Sequence, residues 1–188
     1  MNFSVFLYKL EYAKDKIKSR IFYRFLFNSL GRGSVISKPI ILYNSEHVSV
    51  GANVLIRRGL RLEVLIRPDK RKAGIVIGNN VNIEQNLHII CQNRIVIGDR
   101  VSITGNCAIV DTTHPYLGES EKTGSVVEYN DDEVIIGSNV FIGFGTIILP
   151  GTKIGDGSYV GALSVVKGIF PNRSLIYGSP ARLIKSLA

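Results

Sequence analysis

VIIGSNVFIGFGTIILPGTKIGDGSYVGALSVV, residues 134–166, is the stretch whose reading decides the fold. Ile136, Ile142, Ile148, Ile154, Val160 and Val166 place an aliphatic residue at every sixth position, and Gly follows in four of the six cases. The residues four further on are small or apolar: Val140, Thr146, Thr152, Ser158 and Ser164. A helix repeats every 3.6 residues and a half-buried strand every two, so neither explains a period of six. A three-sided coil does, each side being one short strand and one tight turn. The aliphatic residue points inward, the small one sits near the corner, and Gly is expected to supply the positive φ of the turn. No single unit can bury its own side chain, so coils must stack into a solenoid with a continuous core.

Outward from this stretch the rhythm weakens in stages. Upstream it runs through Ile77, Ile83 and Ile89, gains about two residues around Gln92-Asn93, and continues through Ile97, Ile103 and Ile109. It stops at Asp111-Thr112-Thr113-His114-Pro115 and restarts at Ile136, which predicts an ejected loop over 112–133. Long loops on a regular scaffold tend to carry function. Earlier still, Arg67-Pro68-Asp69-Lys70-Arg71-Lys72 reads as a protruding basic turn, a solvated loop or an anion contact. Residues 1–33 lie outside the register. Phe3, Phe6, Leu7 and Leu10, then Ile17, Ile21 and Phe25, then Phe22, Leu26 and Leu30, fall at helical spacing among Lys14, Lys16, Lys18, Arg20 and Arg24. Gly31 is placed to stop such a helix. This segment is read as an amphipathic cap on the first coil, with a basic helix lying on a membrane as the competing use. The expected division is a cap over 1–33, a β-solenoid over 34–170 and a tail over 171–188.

Composition bounds the partners. The chain has 188 residues and a net charge of +8, enough for one sizeable core and a bias toward anionic ligands. Cys91 and Cys107 fall inside repeats and give no disulfide framework. No apolar run is long enough to span a membrane, and Lys9, Glu11 and Lys14 interrupt any signal-peptide layout, so a cytoplasmic place is expected. No phosphate-cradling Gly-x-x-x-x-Gly-Lys-Ser/Thr loop occurs.

With its hexad and its His-Pro loop, the chain from Gly31 to Lys185 resembles the hexapeptide-repeat acyltransferases, in particular the sugar and polysaccharide O-acetyltransferases. The resemblance implies an all-β fold, a left-handed parallel β-helix that is an exception to the right-handed crossover rule. It also implies acetyl-CoA as donor, a saccharide as acceptor and a homotrimer with its site between subunits, and no nucleic-acid partner is expected. His114, at the loop root, matches the family's general base, a task suited to imidazole. Asp111 or a backbone carbonyl would orient its ring. The matching donor positions are Gly143, Phe144, Gly161, Ala162, Lys167, Arg182 and Lys185: small residues to admit a thin thioester arm, cations for the phosphates. Counting back in register gives Glu84 and Gln92 for the acceptor, where galactoside-type relatives carry Asn and Asp, and His88 faces outward beside them. Some proteins of this fold bind zinc through histidines five residues apart. Here Glu119 follows His114 at that interval, and no metal is expected. An N-acetyltransferase acting on an amino sugar and a non-enzymic scaffold are the alternatives. Residues 1–30 are the candidate contact with the inner face of a membrane.

Overall fold

The computed structural model describes residues 2–66, 73–113 and 131–187. Its strands form three parallel sheets, one on each side of a prism, and the chain visits them in strict rotation. The first face holds, among others, Gly74–Ile77, Arg94–Ile97, Glu133–Ile136 and Lys153–Ile154. The second holds Val35–Ile36, Leu55–Ile56, Asn82–Ile83, Ser102–Ile103, Phe141–Ile142, Tyr159–Val160 and Ser174–Gly178. The third holds Arg61–Val64, His88–Cys91, Ala108–Val110, Ile147–Ile148 and Val165–Val166. The fold is a parallel β-solenoid, as the hexad predicted, and the left-handed β-helix that the resemblance implied.

Register places identical chemistry in line. Ile36, Ile56, Ile83, Ile103, Ile142, Val160 and Ile176 are partners in successive coils of the second face, and all are 0% exposed. Burying such a side chain contributes roughly 1.5–3 kcal/mol, so the ladder holds the core together. Thr146, Thr152, Ser158 and Ser164 are buried at the corners, where they donate to carbonyls; Ser164 Oγ, for example, lies 2.8 Å from Gly161 O.

The glycines that follow the aliphatic residue serve a different purpose from the one expected. Positive φ occurs two residues later, at Asn139, Gly145, Gly157 and Leu163. Gly137 and Gly143 are needed because the next coil lies against them. A Cβ on Gly143 would sit 2.4 Å from the backbone N of Ala162, and one on Gly137 2.8 Å from the N of Asp156. The Asn residues in the left-handed position also stack: Asn86 Nδ2 donates to Asn106 Oδ1 at 2.8 Å.

Two corners keep constant length. First-to-second-face turns run from Ile77 to Asn82, Ile97 to Ser102 and Ile136 to Phe141; second-to-third-face turns run from Ile83 to His88, Ile103 to Ala108 and Ile142 to Ile147. The third-to-first corner varies: Val64 to Gly74, Cys91 to Arg94, Val110 to Glu133 and Ile148 to Lys153. Both interruptions of the hexad therefore leave the solenoid at one edge. The basic turn 67–72 and most of the loop, residues 114–130, lie outside the described residues.

Helix α1, Phe3–Ile21, is shorter than its apolar spacing suggested and does not run to Gly31. After it, a 3-10 turn over Tyr23–Phe25 carries Tyr23 and Phe27 into the core, and Ser29–Leu30 already pair with Ser49–Val50. Burial of those two rings under the first coil decides the break, since no helix breaker stands there. At the other end, Ala181–Ser186 folds back antiparallel on Ser174–Gly178 and covers that sheet edge.

Candidate active site

Three elements bear on the site: the edge from which the loop leaves, the opposite edge of the third face, and the terminal hairpin. The strand Ala108–Val110 delivers Asp111 to the first edge. Its side chain is 0% exposed and turned inward. Oδ1 accepts the backbone N–H of Gln92 at 2.6 Å and Oδ2 that of Asn93 at 3.0 Å, with Cys91 Sγ at 3.4 Å from Oδ2. The Gln92 side-chain amide donates in turn to Asp111 O at 3.0 Å. Burial raises the carboxyl above the ordinary carboxylate range, and the two backbone N–H groups pull against that shift. The Cys91 thiol is raised by burial first and by the charge of Asp111 second, which makes it a poor nucleophile. Thr112 and Thr113 continue from this clasp, and His114, the next residue, lies outside the described residues, as does Glu119.

The opposite edge is a stack of small turns. Gly143-Phe144-Gly145 lies under Gly161-Ala162-Leu163, joined by Gly143 N–H to Val160 O at 2.8 Å and Leu163 N–H to Phe144 O at 2.8 Å. Gly143 and Gly161 are buried, whereas Phe144 and Ala162 are exposed. Tyr177 completes the stack. Its ring lies directly over Gly161, where any Cβ would fall inside the ring atoms. Phe141 stacks on Tyr159 of the next coil, centroids 4.6 Å apart, on the adjoining second face.

Arg182 stands opposite Tyr177 in the terminal hairpin, and Lys185 opposite Leu175. The structure thus gathers Gly143, Phe144, Gly161, Ala162 and Arg182 at one edge, with Lys185 further along the hairpin. Lys167 is exposed on the other edge, which bears Asp111, following the third-face strand Val165–Val166.

The acceptor candidates separate as well. His88 projects from the third face between Arg61 and Ala108, and burial, then the charge of Arg61, lowers its pKa. Gln92 is fully buried just past the end of the same strand, at the Asp111 corner. Glu84 lies on the second-face side, 2.8 Å from Arg57 Nε, with Asn82 Nδ2 donating to it at 3.1 Å. Burial works to raise Glu84, and the hydrogen bonds from Asn82 and Arg57 outweigh it and leave the group lowered. Arg57 also donates to the Tyr8 hydroxyl at 2.9 Å, so Glu84 belongs to a cleft of about 400 Å³ beneath α1. Sequence reasoning missed the Arg57–Tyr8 contact and the Tyr177 cover. Both join residues distant in the chain, and the one clue was a Gly at 161 where a side chain would have met a ring. Among the described residues, no group of three His, Cys, Asp or Glu side chains is placed to hold a metal ion.

The chain matches the bacterial transferase hexapeptide family (six repeats) over residues 133–168. It is 30% identical to WbbJ of Escherichia coli K12, named for O-acetyl transfer in lipopolysaccharide biosynthesis; the match covers 92% of this chain and 85% of that one. A dTDP-4-amino-4,6-dideoxy-D-glucose acyltransferase of Escherichia coli is also 30% identical, over 84% of this chain and 81% of its own. In fold, the chain is similar to AntD, an N-acyltransferase of Bacillus cereus crystallised with dTDP and 3-hydroxybutyryl-CoA. The TM-score is 0.75 at 23% identity, covering 89% of this chain and 87% of that one.

Proposed function

We propose that this chain, which belongs to the hexapeptide-repeat acyltransferases, transfers an acetyl group from acetyl-CoA to a hydroxyl of a saccharide, a surface-polysaccharide precursor. One observation carries the reading: a single match spans 92% of this chain and 85% of a relative named for O-acetyl transfer in lipopolysaccharide biosynthesis. His114 is the general base. It takes the acceptor hydroxyl proton as the oxygen attacks the thioester carbonyl. The resulting oxyanion meets a backbone N–H of the late coils. Collapse expels the CoA thiolate, which is protonated from the imidazolium. Asp111, offered above as the ring's partner, has a supporting part in this reading. Its oxygens hold the turn at Gln92 and Asn93 and so fix the root from which Thr113 leads to His114.

The pantetheine arm runs over Gly143-Phe144 and Gly161-Ala162, with Arg182 and Lys185 toward the CoA phosphates. Within one chain the third face separates this corner from the loop root. From Gly145 to Leu149 the strand spans about 13 Å at roughly 3.3 Å per residue. A homotrimer closes that gap, setting the His114 edge of one chain, Lys167 included, against the Phe144 to Ala162 corner of the next. His88 faces the acceptor, Gln92 supports that side from its buried place through Asp111 O, and Glu84 bounds it beneath α1. The enzyme works in the cytoplasm, at the inner face of the membrane through residues 1–30. Among the described residues, no helix is long and apolar enough to cross a membrane.

The N-acyl relative supports a second reading, transfer to an amino sugar. Release of CoA thiol, followed with a panel of hydroxyl and amino saccharides, separates the two. An N-acetylated product alone would replace the first reading by the second. Absence of any acetyl-CoA binding would leave a non-enzymic scaffold. A stable, active monomer in sedimentation would remove the intersubunit site.

A further inference from the structure

Helix α1 turns its polar side to the solenoid. Ser19 is fully buried, its hydroxyl accepting Ile36 N–H at 2.9 Å; Glu11 pairs with Lys38 at 3.0 Å, and Tyr8 meets Arg57. Residues three and four apart share a helix face, so Phe3, Phe6, Leu7, Leu10, Ile17 and Ile21 form one stripe on the far side. All six are exposed, Phe3 at 71% and Ile21 at 64%. The usual arrangement, apolar face to the core, is reversed.

Along one flank of the stripe run Lys16, Arg20 and Arg24, each four residues from the last. With Arg32 and the turn Gly31–Ser34 they line an open cleft of about 730 Å³ that, among the described residues, no acidic side chain lines. None of the four cations is ion-paired among the described residues. Arg24 lies over the ring of Phe25, 5.2 Å from its centroid, and that ring is 77% exposed at the rim.

Four cations with no ion pair among the described residues, beside a bare apolar stripe, call for an occupant that is anionic on one side and hydrocarbon on the other. We infer that this surface seats the protein on an anionic phospholipid bilayer, the stripe entering the acyl-chain boundary and the cleft of Lys16, Arg20, Arg24 and Arg32 taking lipid phosphate. A second copy docked across a two-fold axis would set the same cations against each other, and the trimer proposed above joins chains through the edges of the later coils instead. Because α1 is pinned to the first coil through Ser19, the solenoid's N-terminal end faces the lipid. The inference rests on and deepens the membrane contact proposed above for residues 1–30, and it does not depend on the acyl-transfer chemistry.

The test is co-sedimentation of the full chain with vesicles of phosphatidylcholine alone, or with about 30 mol% phosphatidylglycerol. Binding is expected on the anionic vesicles and lost at high salt. Arg20→Ala with Arg24→Ala should weaken it about 25-fold, about fivefold per charge removed. Ile17→Ser with Ile21→Ser should weaken it while keeping its salt dependence. Both double variants change exposed side chains, and unaltered thermal melting certifies their fold. Equal binding to neutral vesicles, no binding to either kind, or a wild-type response from the Arg variant would overturn the inference. So would displacement by millimolar inorganic phosphate, the mark of a soluble-anion site, or a fall in oligomer mass for the Ile variant, the mark of a subunit interface.

Discussion

Gly143→Ala and Gly161→Ala, identical substitutions one coil apart, should part company. At Gly143 the new Cβ meets Ala162 N at 2.4 Å and Ala162 Cα at 2.8 Å, both backbone. Neither can yield unless the two coils separate by about an ångström, which strains the flanking bonds Gly143 N–H to Val160 O and Leu163 N–H to Phe144 O. Overpacking of this kind costs about 1–3 kcal/mol, and each weakened bond up to about 1 kcal/mol more. A total near 3 kcal/mol corresponds to a Tm drop of about 6–12 °C at this chain length. At Gly161 the obstacle is the Tyr177 ring, a side chain already 53% exposed, which can swing away. The expected cost is about 1 kcal/mol, the half-buried part of one ring. If the donor arm lies along this corner as proposed, Gly161→Ala should raise KM for acetyl-CoA more than its small stability loss suggests. Circular-dichroism melts and steady-state kinetics on both variants decide. A Gly143→Ala protein that melts like wild type, or a Gly161→Ala protein destabilised as much as Gly143→Ala, would refute the steric reasoning.

His114→Ala should lower kcat by roughly 100- to 10,000-fold with Tm unchanged, the scale of a lost general base; a wild-type kcat removes His114 from the chemistry. Lys167→Ala, Arg182→Ala and Lys185→Ala should each raise KM for acetyl-CoA and spare kcat, so a loss confined to kcat would contradict their assignment. Asp111 is raised, so between its ordinary and its folded value the native state keeps a proton the unfolded chain has released, and stability falls as pH rises through that window. Denaturant melts of wild type and Asp111→Asn should therefore converge as pH is raised across it, and a widening gap would reverse the sign argued here. Ile103→Ala, in the middle of the 0%-exposed ladder, should cost about 2–5 kcal/mol in the same melts, with a loss under 1 kcal/mol arguing against a close-packed core.

Much of the fold was legible because one physical demand repeats. Ile136, Ile142 and their equivalents must face inward in every coil, and the period of six states this openly. What escaped the sequence depends on neighbours it does not name. Gly143 looked like a turn residue, and only the adjacent coil reveals it as a contact residue. Phe22, Leu26 and Leu30 continue a helical pattern, yet burial of Tyr23 and Phe27 ends α1 ten residues before Gly31. The small residues proposed for the donor were readable as a stacked set because they recur in register. The acceptor set was not: Glu84 and His88 are four residues apart and fall on different sides of the prism. Asp111 shows the same limit, for nothing local announces that its carboxylate turns back to the previous coil.

The unequal corners have a consequence for how such a protein changes over generations. At two edges, stacked glycines and asparagines fix the length of every turn, and an insertion there would throw all later coils out of line. The third-to-first edge, which runs from Val64 to Gly74 in one coil and from Cys91 to Arg94 in the next, accepts gain or loss of sequence without disturbing the ladders on either side. New loops can therefore be grafted along that one seam, beside Asp111. Lineages sharing this scaffold should differ most in length there and least at the glycine corners, so that insertions and deletions, more than point changes, set what each descendant recognises.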